Sequence, residues 1–465
     1  MIEKHKNSYL LLISLASAMG GLLFGYDWVV IGGAKPFYEI YFDITQSPTA
    51  QGFAMGSAIL GCLFGVMLAG GLADKFGRKR LMSVAALIFI VAAVGTGAVS
   101  SFSLFIAFRL LGGIGIGIAS NLSPMYIAEV SPGNIRGRFV SLNQLTIVLG
   151  ILSAQIANWL IAEPVSAGED ILASWNGQWG WRWMFWAQTV PATMFFLLSF
   201  IIPESPRWLA IRLQYEKAKN IFTRIGGKDY AEKEMETVRA NLRVRPDETS
   251  TNKGAHTGTS LPVKIILIGI AIAVFQQWCG INVIFNYAQE IFAAAGYGVS
   301  DILLNIVVTG ITNVIFTFVG MYTVDKLGRK ALLLFGAAGL ALIYAILGVC
   351  YKLQFSGIAV LALVVAAIAC YAMTLAPVTW VVLSEIFPNK IRAKAMAIST
   401  FALWSACFVL TYTFPLLNNA LGAYGTFWLY GAICVAGFIF VKQRLFETKG
   451  KSLEEIEKLI TKRER

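Results

Sequence analysis

Five amides, Gln276, Gln277, Asn282, Asn286 and Gln289, lie in the otherwise apolar stretch FQQWCGINVIFNYAQEIF, Phe275–Phe292. An amide side chain both donates and accepts hydrogen bonds and carries no charge to desolvate. A sugar hydroxyl has the same two functions, so a cluster of buried amides suits a neutral polyhydroxyl ligand. At 1.5 Å per residue, Gln276 lies about 21 Å from Pro262, near the middle of a bilayer if this segment spans one. In a straight helix Asn282 would point about 140° away from Gln277. Gly280 supplies a place for the helix to break and turn Asn282 toward the same cavity. The competing use for such amides is hydrogen bonding between helices.

Two ionisable residues stand inside apolar runs, where charge is costly and usually functional. Asp27 lies about 27 Å along the first run and Arg109 about six residues into the fourth. If those runs are antiparallel, the two groups meet at one depth. Burial favours a neutral carboxyl and a nearby arginine favours a charged one. A pair whose separation changes between conformations therefore takes up and releases a proton. A static structural pair is the alternative. Gln144 and Asn313 place further amides about 10 Å and 20 Å into their runs. Asn305, Thr309 and Asn313 form an i, i+4, i+8 stripe. Trp380 and Trp404 offer an apolar ring face for a pyranose and an indole N–H. Trp181, Trp183 and Trp186 cluster at a boundary and suit a lipid interface.

Other chemistry is excluded or weak. The six cysteines fall in or beside apolar runs without a C-x-x-C, and the histidines, His5 and His256, lie in polar segments. They suggest packing rather than disulfides or a metal site. GGIGIG at Gly112–Gly117 departs from G-x-G-x-x-G at Ile118 and reads as a small-residue packing face. There is no P-loop and no nucleophile–base constellation, so neither an enzyme nor an ATP-driven pump is expected, and no cofactor.

The elements that must position these groups follow from composition. The 465 residues are 57% hydrophobic and 14% charged, with mean hydropathy +0.67. A soluble domain averages roughly 25% charged residues. The net charge of +12 sits in short clusters between apolar runs, which argues against a nucleic-acid surface. Lys4 and Lys6 precede a run from Tyr9 to Ile31 that is too long for a signal core and reads as a first span. About twelve runs reach membrane-spanning length. The expected fold class is an all-α membrane protein with two six-helix halves, residues 1–203 and 262–446. A charged cytoplasmic linker, 204–261, separates them, and a cytoplasmic tail, 447–465, follows. In the linker YEKAKNIFTRI and EKEMETVRANL have the pattern of short amphipathic helices. Basic clusters recur on alternate loops, at Lys75–Arg80, Arg136–Arg138, Lys326–Lys330 and Lys390–Lys394, whereas Lys35, Lys352 and Arg182 are all the other loops and their edges hold. The positive-inside rule then places both termini in the cytoplasm.

The halves are related by a repeat. LADKFGRKR at Leu72 returns as TVDKLGRKA at Thr323, and IAEVSPGNIRGR at Ile127 returns as LSEIFPNKIRAK at Leu383. PESPRWL at Pro203 has a weaker echo in LFETKGKSL at Leu445. Asp74, Arg78, Glu129, Arg136 and Glu204, with Asp325, Arg329, Glu385 and Arg392, then form matched acid–base sets at helix ends. Charge-assisted hydrogen bonds among them can latch the two bundles together on the cytoplasmic side.

GGLLFGYD, the paired D-x-x-G-R-[KR], PMYIAEVSP, PESPRWL, FQQWCGIN and the P-x-x-W-x-x-x-x-E-x-F-P run at Pro377 together resemble the sugar porter family of the major facilitator superfamily, over essentially the whole chain. The resemblance is to its bacterial xylose–proton symporter branch in particular. It implies sugar contacts at Phe24, Gln144, Gln276, Gln277, Asn282, Asn313, Trp380 and Trp404. It also implies proton coupling at Asp27, where facilitators of the family carry Asn. The chain departs from the family at Asn286-Tyr287, usually Tyr-Tyr, and at Leu403, usually an amide. The function expected is monosaccharide:proton symport across a bacterial cytoplasmic membrane by a monomer. The partners are a pentose or hexose, a proton and the lipid bilayer, with no nucleic acid. A proton-independent sugar facilitator is the nearest alternative, and a membrane sugar sensor is the alternative of another class.

Overall fold

The computed structural model describes residues 7–132, 135–165, 170–243, 263–355, 357–387 and 392–449. Much of the expected linker and most of the tail therefore lie outside the described residues, as do the side chains of Asp325, Arg392 and Arg138.

The first half comprises α1 (Asn7–Tyr41), α2 (Pro48–Phe76), α3 (Arg78–Ala98), α4 (Phe102–Val130) and α5 (Arg136–Ile161). A π-helical turn, Asn176–Gly180, then leads into α6 (Trp181–Ala187) and α7 (Thr189–Ile201), which run on as one span. Three short helices follow: α8 (Pro206–Ile211), α9 (Tyr215–Gly226) and α10 (Lys228–Arg243). The second half comprises α11 (Val263–Trp278), α12 (Ile281–Asn286), α13 (Ala288–Ala294), α14 (Val299–Leu327), α15 (Arg329–Lys352), α16 (Ile358–Met373), α17 (Leu375–Ile386) and α18 (Arg392–Arg444). Eleven continuous helical stretches among the described residues are long and apolar enough to cross a membrane. The last is 53 residues long and contains Gly422 at φ 68°, ψ 173°, a non-helical conformation that splits it into two spans. Among the described residues that split brings the count to twelve.

Local chemistry sets these limits. Ser47 caps α2 by accepting from the Ala50 N–H at 3.3 Å, with Pro48 in the first turn. Ser205 and Pro206 do the same for α8. In the linker α9 buries Ala218, Ile221, Phe222 and Ile225, the stripe expected of an amphipathic helix.

Within each half the principal contacts repeat: α1 packs on α5 as α11 packs on α18, and α2 on α4 as α14 on α16. The GGIGIG run is a packing face. A Cβ on Gly113 would stand 2.0 Å from the Ala58 carbonyl oxygen, so only glycine admits this α2–α4 approach. Between halves α2 meets α18 and α5 meets α14. Those contacts lie toward the end opposite the basic loops. There Gly52 abuts the Tyr412 backbone, Gly32 the Asn286 carbonyl and Gly310 the Gln155 amide.

Three expectations about this far end are corrected. Lys35 is not in a loop: α1 continues through Pro36 to Tyr41, and Lys35 is 2% exposed. The helix can carry this charge inward because Glu39, one turn on, is its partner. Trp181 is not at a lipid interface but 0% exposed, its indole N–H donating to the Gly177 carbonyl at 3.0 Å, whereas Trp183 faces outward. Arg182 is buried too, and donates to the Gly97 and Val99 carbonyls that end α3.

Candidate functional site

The amide segment breaks at Gly280, whose φ of 87° and ψ of −5° are left-handed helical. Only glycine takes that conformation cheaply. The break ends α11 at Trp278 and starts α12 at Ile281, so Asn282 turns onto the side of Gln277. The three amides then form one chain of hydrogen bonds. Asn282 Nδ2 donates to Gln277 Oε1, and Gln277 Nε2 donates to Gln276 Oε1 at 2.7 Å. Gln276 Nε2 donates to the Tyr371 hydroxyl of α16. All three amides are nearly buried, Asn282 being the most exposed at 8%. Tyr371 was not singled out in the sequence, where it is one hydroxyl in an apolar run. Asn286 closes α12 with Oδ1 buried and unpartnered.

Across from α12, Phe24, Trp28 and Trp404 meet edge to face with centroids 5.6–5.8 Å apart. This trio joins α1 of one half to α18 of the other. Trp28 also went unnoticed in the sequence, although it follows Asp27 directly. Trp380 makes no ring contact with the trio and is 37% exposed. Gln144 is partly buried on α5, and Asn313 is 5% exposed on α14. The structure thus joins Gln276, Gln277 and Asn282 directly and Phe24 with Trp404, while among the described residues no hydrogen bond or ring contact links Gln144, Asn313 or Trp380 to either group. Leu403 is buried beside Trp404 in sequence at 1% exposure.

Asp27 and Arg109 are in contact: Arg109 Nη1 lies 2.8 Å from Asp27 Oδ1, with side-chain exposures of 5% and 3%. Asp27 Oδ2 and Arg109 Nε have no hydrogen-bond partner. The Arg109 guanidinium also sits 5.6 Å from the Phe185 ring centroid. A small cavity beside the pair is lined by Trp28 and Asn286 as well as by Asp27 and Arg109. It connects the ion pair to the aromatic trio and to the end of α12.

The charged sets at the basic end pair within their own halves. Arg78 binds Glu129 at 3.0 Å and Asp74 at 3.2 Å, all within the first half. Arg329 binds Glu385 at 3.1 Å within the second. No ion pair between described residues joins the halves at this end. The reason is local: Glu204 accepts from the N–H groups of Arg78 and Lys79 at the start of α3, and so anchors Arg78 in its own bundle. Glu447 does the same for Arg329 and Lys330 at the start of α15. The weak echo between Pro203 and Leu445 is thus a matched pair of carboxylate caps, with Glu447 the member that went unremarked. Burial opposes its charge, but the N–H groups of Lys449, Arg329, Lys330 and Thr448 outweigh burial and hold the Glu447 carboxyl below its ordinary value. Arg136 has Nε buried without a partner.

At the far end an ion pair does cross between halves. Lys35 of α1 pairs with Glu290 of α13 and, at 2.8 Å, with Glu39. The sequence offered a signal for the Lys35–Glu39 pair in K-x-x-x-E, the i, i+4 spacing of a helical ion pair, and none for Glu290.

Comparison with known proteins agrees with this architecture. The family described as "Sugar (and other) transporter" matches residues 13–460. The D-xylose-proton symporter of Escherichia coli (strain K12) is 37% identical, over 99% of this chain and 97% of that one. The arabinose-proton symporter of Bacillus subtilis (strain 168) is 36% identical, over 98% and 96%. The solved inward open conformation of the xylose transporter XylE from E. coli superposes with a TM-score of 0.85 at 36% identity, covering 97% of this chain and all of that one. With many membrane-length helices in two matched halves and a match along nearly its whole length, this chain is a multi-pass membrane transporter, not an enzyme, and belongs to the sugar transporter family of the major facilitator superfamily.

Proposed function

We propose that the chain is a monosaccharide:proton symporter of a bacterial inner membrane that works by alternating access. The observation that carries this reading is the buried Asp27–Arg109 pair, whose adjoining cavity reaches α12, the helix that bears Asn282. A sugar entering the site exchanges its hydroxyls for the hydrogen bonds that Gln276, Gln277 and Asn282 make with one another. It packs an apolar face on the Phe24–Trp28–Trp404 trio. Gln144, Asn313 and Trp380 close on it from α5, α14 and α17. Because α12 moves to follow the sugar, the cavity next to Asp27 changes with it. Protonation of Asp27 and release of Arg109 are thereby tied to the same conformational step. The similar xylose– and arabinose–proton symporters support the class of cargo and the coupling.

In this reading the functional units are residues 1–203, a linker at 204–261, residues 262–446 and a tail from 447. The basic loops and both termini face the cytoplasm. The halves meet at the far end, so the conformation is open toward the cytoplasm. The clusters around Arg78 and Arg329, with Asp325, Arg136 and Arg392 beside them, come together when that side closes. The protein acts as a monomer in the lipid bilayer. The test is uptake of a panel of labelled pentoses and hexoses into proteoliposomes, with and without an inward proton gradient. Accumulation above equilibrium that requires the gradient supports symport. Equilibration at the same rate in both conditions defeats it in favour of facilitated diffusion. No uptake of any sugar, with binding retained, favours a sensor.

A further inference from the structure

We propose that Lys35, Glu39 and Glu290 form a second proton site, which binds one proton when the two halves close at the far end. The proposal rests on the alternating-access reading, because it requires that the halves separate there. Lys35 is 2% and Glu39 6% exposed, and both belong to α1. Glu290 belongs to α13 of the other half and pairs with Lys35 across the seam. Gln51 of α2 donates to Glu39 Oε2 at 3.2 Å. One buried ammonium thus faces two carboxylates, one buried on its own helix and one, Glu290, 24% exposed at the seam, and among the described residues no other cation pairs with either.

The groups that face the cluster bear this out. From α1 comes Tyr38, fully buried, its hydroxyl on Met55 Sδ at 3.4 Å. From the helix break before α13 comes Tyr287, whose hydroxyl donates to the Thr411 carbonyl and whose ring lies 5.5 Å from Lys35 Nζ. Arg109 of α4 is committed to Asp27. Arg182 of α6 is committed to the carbonyls that end α3, and its guanidinium stacks 4.8 Å from the Tyr41 ring.

An excess buried charge is expensive, and the cheapest way to remove it is to bind a proton. Glu290 Oε2 is buried without a hydrogen-bond partner and offers the place for it. When the far end opens, Lys35 stays with Glu39 one turn away on the same helix, a balanced pair, and Glu290 leaves with the other half into water. The enclosed excess exists only in the closed arrangement. Closing therefore takes up a proton, and by reciprocity a proton favours closing. This site is separate from Asp27 and sits nearer the far surface, so it makes the conformational equilibrium itself depend on the pH of the compartment on that side.

The experiment is a pulsed electron–electron distance measurement between spin labels on Gln46→Cys and Gly298→Cys, exposed positions on opposite halves at the far end. It uses the full chain with Cys350→Ser, in lipid nanodiscs without sugar, from pH 5 to 8. One linked proton makes the closed-to-open ratio fall as pH rises, by at most about tenfold per unit. Glu290→Gln should keep the far end closed and flatten the pH response. Lys35→Gln should raise the open fraction at every pH. Asp27→Asn removes the coupling proton, so the pH response that remains in that background is the one assigned to this cluster, and it should disappear when Glu290→Gln is added. A wild-type ratio that does not change with pH overturns the proposal, as does a response that survives Glu290→Gln and Glu39→Gln but disappears in Asp27→Asn. Labelled-sugar uptake by the same preparation separates the two readings: a flat ratio with active transport sinks the proton site alone. A pH-dependent ratio with no transport of any sugar sinks the transport reading and leaves the site standing.

Discussion

Gly280→Ala is the most direct perturbation of the amide site. At φ 87° the new residue would occupy a left-handed conformation that costs an L-residue roughly 1–2 kcal/mol. Its Cβ would stand 2.8 Å from Cγ of Tyr430 and 3.0 Å from two more atoms of that side chain. Tyr430 is 1% exposed, so a further ~1–3 kcal/mol of overpacking strain is expected. Together the two effects give ~2–5 kcal/mol. Two relaxations are open to the chain: straightening α11 into α12, which rotates Asn282 off Gln277, or melting. In detergent, the variant should lose thermal stability and bind sugar more weakly by calorimetry. Adding Tyr430→Ala separates the terms. It removes the clash and leaves the backbone strain, so Gly280→Ala should cost less stability in the Tyr430→Ala background than it does in the wild type. If Gly280→Ala melts and binds like wild type, the break is not what presents Asn282, and the relay is incidental.

Four further outcomes are expected. Gln277→Ala strands both the Asn282 donor and the Gln276 acceptor, and should weaken sugar binding by about 1–3 kcal/mol; unchanged affinity in the purified variant would remove the relay from the site. Asp27→Asn keeps an acceptor for Arg109 but cannot release a proton, so counterflow should persist while gradient-driven accumulation in vesicles disappears; a variant that still concentrates sugar would place coupling elsewhere. Asn286→Tyr with Leu403→Gln restores the family's usual residues at two buried positions, and should reorder the preference among pentoses and hexoses in a competition assay; an unaltered order would make them packing residues. Glu447 should stabilise the basic end at neutral pH, and this contribution should be lost as acid titrates the carboxyl below its ordinary value of 4.5. Glu447→Gln should thus melt below wild type at pH 7, with the two curves converging in acid; a gap that persists in acid would assign the loss to packing.

The class of the molecule was open to reading in the chain because the bilayer imposes its rule residue by residue. A span must be about 20 apolar residues, so span count, loop charge and the repeat could be counted directly. Gly280 was legible for a related reason: a glycine among amides in an apolar helix is a local statement about backbone freedom. The pairing of Asp27 with Arg109 followed from equal depth in antiparallel spans. What the tertiary structure decided were the partners. Tyr371 and Trp28 enter the site because α16 and α1 lie against it, and nothing in their own neighbourhoods says so. The matched charges of the basic loops could be counted in the chain, but that Arg78 is held in its own half depends on Glu204, more than a hundred residues on, capping α3. Lys35 shows the limit most sharply. The first apolar run reads as ending at Ile31, which leaves Lys35 in a loop. It is buried because Glu290 arrives from the other half, and the free energy of a buried charge is set by its surroundings in space rather than by its neighbours in the chain.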